Sequence, residues 1–265
     1  MKRVTSALIW HELKERTHDR WVLVISILFA LLATGVGLYG QAAGENAANL
    51  TGPSLVTLAS IFVPLVALVL GHDAIVGERE RNTLGLLLSL PFSKSELVFA
   101  KYVGRLLALL GAIALGLGSA LFFVSSSGGF QMTLRLLGHT TLLGAAFLSC
   151  GIFISTILKR QTTAASLVVT VWFLFVFFYD LGLLGILVAT DGAIDSIWIS
   201  RLVLINPAGL FRVQMMAPYV GEEVFSDLGM AVGSQGALIA GFLWAFWIVV
   251  PIFMSGVILI RQKVV

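Results

Sequence analysis

The chain reads as an all-α integral membrane protein with six transmembrane helices. Two observations carry that reading: six long apolar stretches, and basic residues gathered on one side of them. The stretches lie roughly at Trp21–Gly40, Ser54–Gly71, Tyr102–Val124, Leu134–Leu158, Thr163–Val188 and Gly236–Ile260. A hydrocarbon core about 30 Å thick takes about 20 mostly apolar residues as a helix. In lipid every backbone N–H and C=O must be paired internally, so these runs are helices rather than strands. Hydrophobic residues make up 58% of the chain and charged ones 12%, which leaves too little polar surface for six soluble helices. The six spans and their connections take up most of the 265 residues. Residues 1–265 are therefore expected to form one transmembrane domain.

Charge placement orients the spans. With both termini inside, the cytoplasmic ends hold Lys2, Arg3, Lys14, Arg16, Arg20, Arg79, Arg81, Lys94, Lys101, Arg105, Lys159, Arg160, Arg261 and Lys263, which is 14 of 17 basic residues. Only Arg135, Arg201 and Arg212 fall on the other side. This positive-inside bias predicts cytoplasmic N- and C-termini in a multi-pass protein of a bacterial inner membrane. It also accounts for the net charge of +3 without a nucleic-acid partner.

Residues 1–20 place Ile9, Trp10, Leu13 and Thr17 on one helical face, with His11, Glu12, Glu15 and Asp19 opposite. That pattern predicts an amphipathic helix lying in the membrane interface with Trp at headgroup depth. The first span is about 20 residues long, longer than a signal-peptide core, and reads as a retained helix. Asn49-Leu50-Thr51 matches a glycosylation acceptor, taken here as chance.

The longest cytoplasmic segment, 72–101, turns from the charged run Glu78-Arg79-Glu80-Arg81 through Thr83 into Leu84, Leu86, Leu87, Leu88 and Leu90, and Pro91 then stops it. Ser93-x-x-Glu96 is a capping-box pattern that starts the next helix. The leucine run is too short to cross a bilayer and too apolar for water, so it packs on the membrane, on its own bundle or on a partner; a partner is preferred.

Span three carries Gly104, Ala108, Ala112, Gly116 and Ala120, a ridge of small residues at every fourth position that admits a neighbouring helix, in this chain or in a second copy. Spans four and five are joined by Lys159-Arg160-Gln161, which predicts a tight antiparallel pair. Span five is aromatic up to Tyr179 and then meets Asp180, the one carboxylate deep in a predicted span. An ionisable group there costs about 2.5–3.5 kcal/mol on insertion scales, so it should face the bundle interior or an aqueous path. Two readings stand for Asp180 with Tyr179: a transport-path or gating residue, or a carboxylate bonded to a neighbouring helix. Residues 189–235 form the large outer segment, in which Ile197 to Ile205 and its neighbours suggest short helices at or dipping into the outer leaflet.

Catalytic chemistry is missing. There is no H-E-x-x-H, no paired-Cys metal motif and no G-x-S-x-G elbow. Cys150 is the only cysteine. G-x-x-x-x-G-K-[ST] is absent, so no ATP site and no enzymatic activity are expected in this chain. Ser125-Ser126-Ser127-Gly128-Gly129 superficially matches an ATPase signature loop but falls in an outer turn. Met132, Met215, Met216 and Met230 invite a copper reading, since thioethers suit Cu(I). Without His or Cys beside them they read better as gap-filling apolar residues, and no metal site is assigned.

The six-span layout, the N-terminal helix, and Glu78, Thr83-Leu84, Leu86-Leu87-Leu88, Pro91 and Lys101 together resemble the ABC-2 type permeases. Within that family, Asp73-Ala74-Ile75-Val76-Gly77-Glu78, Phe177-Phe178-Tyr179-Asp180-Leu181 and Asn206-Pro207-Ala208-Gly209-Leu210-Phe211-Arg212 are similar to the permeases of nitrous-oxide-reductase maturation. The resemblance implies a type V ABC exporter-like fold and two identical permease subunits in membrane lipid. It implies a separate cytoplasmic ATPase that binds ATP and Mg, and a periplasmic β-helical protein serving the reductase's copper sites. It further implies that Glu78–Pro91 is the coupling helix. The outer segment, with Asn206, Pro207, Arg212, Met215 and Met216, would then face the periplasmic partner. Two alternatives are a general exporter of drugs, lipids or ions and a non-transporting membrane scaffold.

Overall fold

A computed structural model describes residues 2–17, 20–42, 47–124, 130–191, 193–221 and 234–262. Among them there are helices and no strands: α1 (Lys2–Thr17), α2 (Arg20–Ala42), α3 (Ala47–Gly71), α4 (Val76–Glu80), α5 (Leu84–Leu88), α6 (Lys94–Val124), α7 (Phe130–Ile157), α8 (Gln161–Phe173), a π-helical turn (Leu174–Phe178), α9 (Tyr179–Ala189), α10 (Ser196–Ile205), α11 (Pro207–Val220) and α12 (Ser234–Arg261). Six stretches are long and apolar enough to span a membrane: Val22–Gly40, Thr51–Glu80, Lys94–Gly118, Leu134–Ile157, Gln161–Ala189 and Gly236–Arg261. Each overlaps an expected span. The third starts about two turns earlier than expected, because the capping box opens α6 at once: the Ser93 amide donates to Glu96 Oε2 (2.8 Å) and the Glu96 amide to Ser93 Oγ (3.2 Å).

The bundle is built around α3, α6 and α7. α2 lies along α6 and α3, α12 along α7 and α6, and α8 leans on α3 as well as on α7, so spans four and five are not an exclusive pair. The ridge on α6 faces within the chain: a Cβ on Gly104 would strike Glu12 and the Ile9 carbonyl of α1, and one on Gly116 would strike Phe29 of α2. Ala108 and Ala112 are buried between them. The side chain of Ala120 lies outside the described residues. A closer crossing went unread in the sequence. A Cβ on Gly71 of α3 would sit 2.8 Å from the Gly151 backbone of α7, so the two helices meet backbone on backbone.

The N-terminal helix carries a tie that its pattern does not show. Glu12 is 1% exposed and Arg16 is buried, while Trp10 stands 68% exposed and His11 is exposed. The helix is docked through Glu12 on the buried cations of α6. Asp19 lies outside the described residues.

The outer segment folds back into the bundle. α10 and α11 meet at Asn206, which is fully buried and bonded to Phe175 at the middle of span five. Polar backbone at membrane depth must be satisfied by protein, and it is. Asn206 accepts from the Ala208 amide as the N-cap of α11 (3.0 Å) and donates to the Phe175 carbonyl in the π-helical turn (2.8 Å). A π turn shifts the i→i−4 ladder and frees carbonyls. The last carbonyls of α10 accept from Tyr179 Oη (at Leu202, 2.6 Å) and Trp247 Nε1 (at Ile205, 2.9 Å). Pro251 of α12 cannot donate to the Trp247 carbonyl, and Ser149 Oγ of α7 does so instead at 2.6 Å.

Candidate functional site: a short apolar helix on a buried ion network

Beyond Gly71 the chain makes a tight turn into α4, whose leading amides, Ile75 and Val76, both donate to Ser155 Oγ of α7 at 2.9 and 3.0 Å. Asn82, at φ 58°, reverses the chain between α4 and α5, a left-handed conformation that Asn tolerates well. Within α5, Leu84 is buried; Leu87, Leu88 and Phe92 pack against the core. Leu86, 71% exposed, and Leu90, 44% exposed, stand outward. Of the five leucines read from the sequence, two therefore present a surface and three hold the helix down. Pro91 follows as the stop.

Beneath α5 lies a cluster of ions that joins three elements distant in sequence. Lys101 Nζ of α6 contacts Glu12 of α1 and reaches Glu78 Oε1 of α4 at 2.9 Å. Arg105, one turn on, bonds Glu12 Oε2 through Nε (3.2 Å) and Asp73 Oδ1 through Nη1 (2.6 Å), and donates to the Leu70 carbonyl at the end of α3. Asp73 Oδ2 also accepts from Arg16 Nη1 of α1 at 2.8 Å. Glu78 in turn accepts from the Thr83 hydroxyl, which ties α4 to the start of α5. Lys101 and Arg105 have no exposed side-chain surface. Buried charges are tolerable only when paired and hydrogen-bonded, and each carboxylate here has two partners. Burial alone would raise the Glu12 carboxyl, but Arg105, Lys101 and Arg16 hold it below its usual range.

A second tie reaches the end of the chain. Arg79 donates to the Leu158 carbonyl (2.5 Å) and to Gln262 Oε1 (2.6 Å), and Lys94 Nζ to the Gln262 carbonyl (2.9 Å). Glu80 caps α8 by accepting from the Gln161 amide at 2.8 Å. Glu78 and Thr83 were singled out in sequence, and the structure joins them. Glu12, Arg16, Asp73 and Arg105 were missed as a site. Their signal was an opposite-charge pair, Glu12/Arg16, and a like-charge pair, Lys101/Arg105, each at spacing i, i+4, which puts both members on one helical face.

At the other end, Asp180 Oδ2 pairs with Arg212 Nη1 of α11 at 2.5 Å, both half-exposed, and Tyr179 bonds α10 as above. Asp180 is thus tied to a neighbouring helix. Asn206, Pro207, Arg212, Met215 and Met216, named for the partner-facing segment, differ in exposure. Asn206, Pro207 and Met215 are buried because α11 folds into the bundle, leaving Arg212 and Met216 only partly exposed. Ser125–Gly129, Glu222, Glu223, Met230 and the side chain of Met132 lie outside the described residues. Among the described residues no three His, Cys, Asp or Glu side chains converge as metal ligands.

Six apolar helices, a buried ionic base and a short apolar helix projecting from it define a multi-pass membrane protein of the transport class. The model of the ABC-2 family transporter proteins matches residues 6–264, and the chain belongs to that family as a transporter permease. It is 35% identical, over 95% of its length and 96% of the relative's, to the probable ABC transporter permease protein NosY of Stutzerimonas stutzeri. It is 34% identical to the probable ABC transporter permease protein NosY of Pseudomonas aeruginosa, over 88% and 90% of the two chains.

Proposed function

We propose that this permease works as one of two identical subunits in a bacterial inner membrane and couples ATP hydrolysis by a separate cytoplasmic ATPase to transport or mechanical signalling. Its service is proposed to be maturation of the copper sites of nitrous oxide reductase, with a periplasmic β-helical protein as second partner. The observation that carries the coupling role is Leu86, exposed on α5 while Leu84, Leu87 and Leu88 anchor the helix on the apolar core. A projection that receives force must be apolar at its tip and immobile at its base. Here Glu78 and Thr83 at the base connect through Lys101 to α1 and α6. The subfamily reading rests on the whole-length likeness to the two NosY permeases. ATP and Mg would be held by the ATPase, not by this chain.

Leu86→Asp should abolish ATPase stimulation by the reconstituted permease while leaving it inserted and folded, because Leu86 supports no core packing. Unchanged stimulation in that variant overturns the coupling assignment. Affinity purification from the native membrane in mild detergent, with mass spectrometry of the bound proteins, tests the partners. An ATPase with a β-helical periplasmic protein supports the maturation role, an ATPase alone supports a general exporter, and neither overturns the transporter reading.

A further inference from the structure

In the outer half of the bundle a cavity of about 340 Å³ lies between α7, α11 and α12. Its size falls in the range of small-ligand sites. Its wall is apolar along Leu204, Leu210, Val213 and Leu243; its cationic side is made by Arg135 and His139, one turn apart on α7, and Gln214, which accepts from Trp244 Nε1, is its other polar side chain.

Depth decides what such a space can take. Arg135 is the second residue of span four, and Gly236, which also lines the cavity, is the first of span six. The cationic mouth is therefore at the membrane boundary. Leu243, seven residues into α12 from Gly236, lies about 10 Å deeper at 1.5 Å rise per residue. Arg135 is exposed and, among the described residues, has no carboxylate within 4 Å. His139 meets the Arg135 carbonyl through Nδ1 at 2.9 Å, which leaves Nε2 as its remaining polar ring atom. A guanidinium presents planar paired donors suited to a phosphate oxyanion, and basic pockets at membrane-helix ends suit anionic head groups.

We propose that this cavity is a binding site for an anionic phospholipid. The phosphate rests on Arg135 and His139, and the upper part of one acyl chain lies against Leu204, Leu210, Val213 and Leu243. A zwitterionic lipid offers the same chain, but its ammonium would meet a cation. A free anion would satisfy Arg135 and leave the apolar wall uncovered. The site shares α11 with the Asp180–Arg212 pair, so its occupant would steady the re-entrant helix from the opposite side.

The test is native mass spectrometry of the protein released from nanodiscs containing equal parts phosphatidylglycerol and phosphatidylcholine. Retained lipid should be enriched several-fold in phosphatidylglycerol. The enrichment should vanish in R135Q/H139Q, two changes at the rim of the bundle, while the helix content of the protein in lipid-free detergent stays that of the unmodified protein. Leu243→Trp, which fills the cavity, should lose the retained lipid altogether. Equal retention of the two lipids by the unmodified protein overturns the proposal, as does undiminished enrichment in R135Q/H139Q. Displacement of the lipid by millimolar inorganic phosphate would also overturn it, since it assigns the site to a small anion.

Discussion

The two ends of the bundle bury polar groups by opposite means. At the α4–α5 end, ionised side chains from α1, α4, α6 and the turn after α3 neutralise one another, and Glu12, Asp73 and Glu78 each have two cationic or hydroxyl partners. At the α10–α11 end the interruptions of the helices are satisfied mostly by neutral donors, namely Asn206, Tyr179, Trp247 and Ser149. One ion pair, Asp180–Arg212, sits there half-exposed. Coulombic pairs in a dry interior are strong but unforgiving, because removing one member strands the other. Neutral hydrogen bonds at helix breaks are individually weaker and tolerate adjustment. The first end is therefore expected to be the more rigid of the two.

The comparison breaks most sharply at Lys101. Changing Lys101 to Met leaves Glu12 and Glu78 short of their cation, and an uncompensated buried charge costs about 3–5 kcal/mol. A large fall in the midpoint of thermal unfolding in detergent should follow, with partial recovery in the K101M/E12Q double variant. A neutral K101M would show that the network is not the base of this end.

Asn206→Ala is the counterpart at the far end. It removes the cap of α11 and leaves the Phe175 carbonyl unpaired, for about 1–3 kcal/mol. Because the loss is local, protease sensitivity or hydrogen exchange should rise in α10 and α11 while α1 and α6 stay protected. Uniform deprotection would mean that the two ends do not differ in rigidity.

The smallest expected change in stability is that of Asp180→Asn. Asn keeps a side-chain oxygen that can accept from Arg212, so assembly should be intact. The proposed gating role of Asp180 predicts reduced activity of the assembled transporter, recovered in a charge-swapped D180R/R212D variant. Full activity in D180N assigns the pair to structure alone.

Legibility in the sequence followed the strength of the physical constraint. The spans were readable because each must supply about 20 apolar residues in succession, and the capping box and the stop at Pro91 were local patterns that tertiary packing did not override. The docking of Glu12 and Arg16 went unread because a polar stripe on a short helix ordinarily marks the wet face. Only the buried cations of α6, about ninety residues away, reverse it. The burial of Asn206 went unread for a similar reason: Asn-Pro marks a helix start equally well in water or at membrane depth. The π turn has no composition cue within Leu174–Phe178, and it becomes intelligible once the Asn206 amide is seen to use a carbonyl there.

The tie between Arg79, Lys94 and Gln262 has a practical consequence for anyone isolating this permease. An affinity handle fused directly to the C-terminus begins within a few residues of the group that orients the α4–α5 segment, and one fused to the N-terminus loads α1 and hence Glu12. Either attachment could loosen the very partner whose capture is sought. A long Gly/Ser spacer, which behaves as a flexible coil, should be placed between the protein and the handle at whichever end is used, and a handle-free preparation should serve as the control.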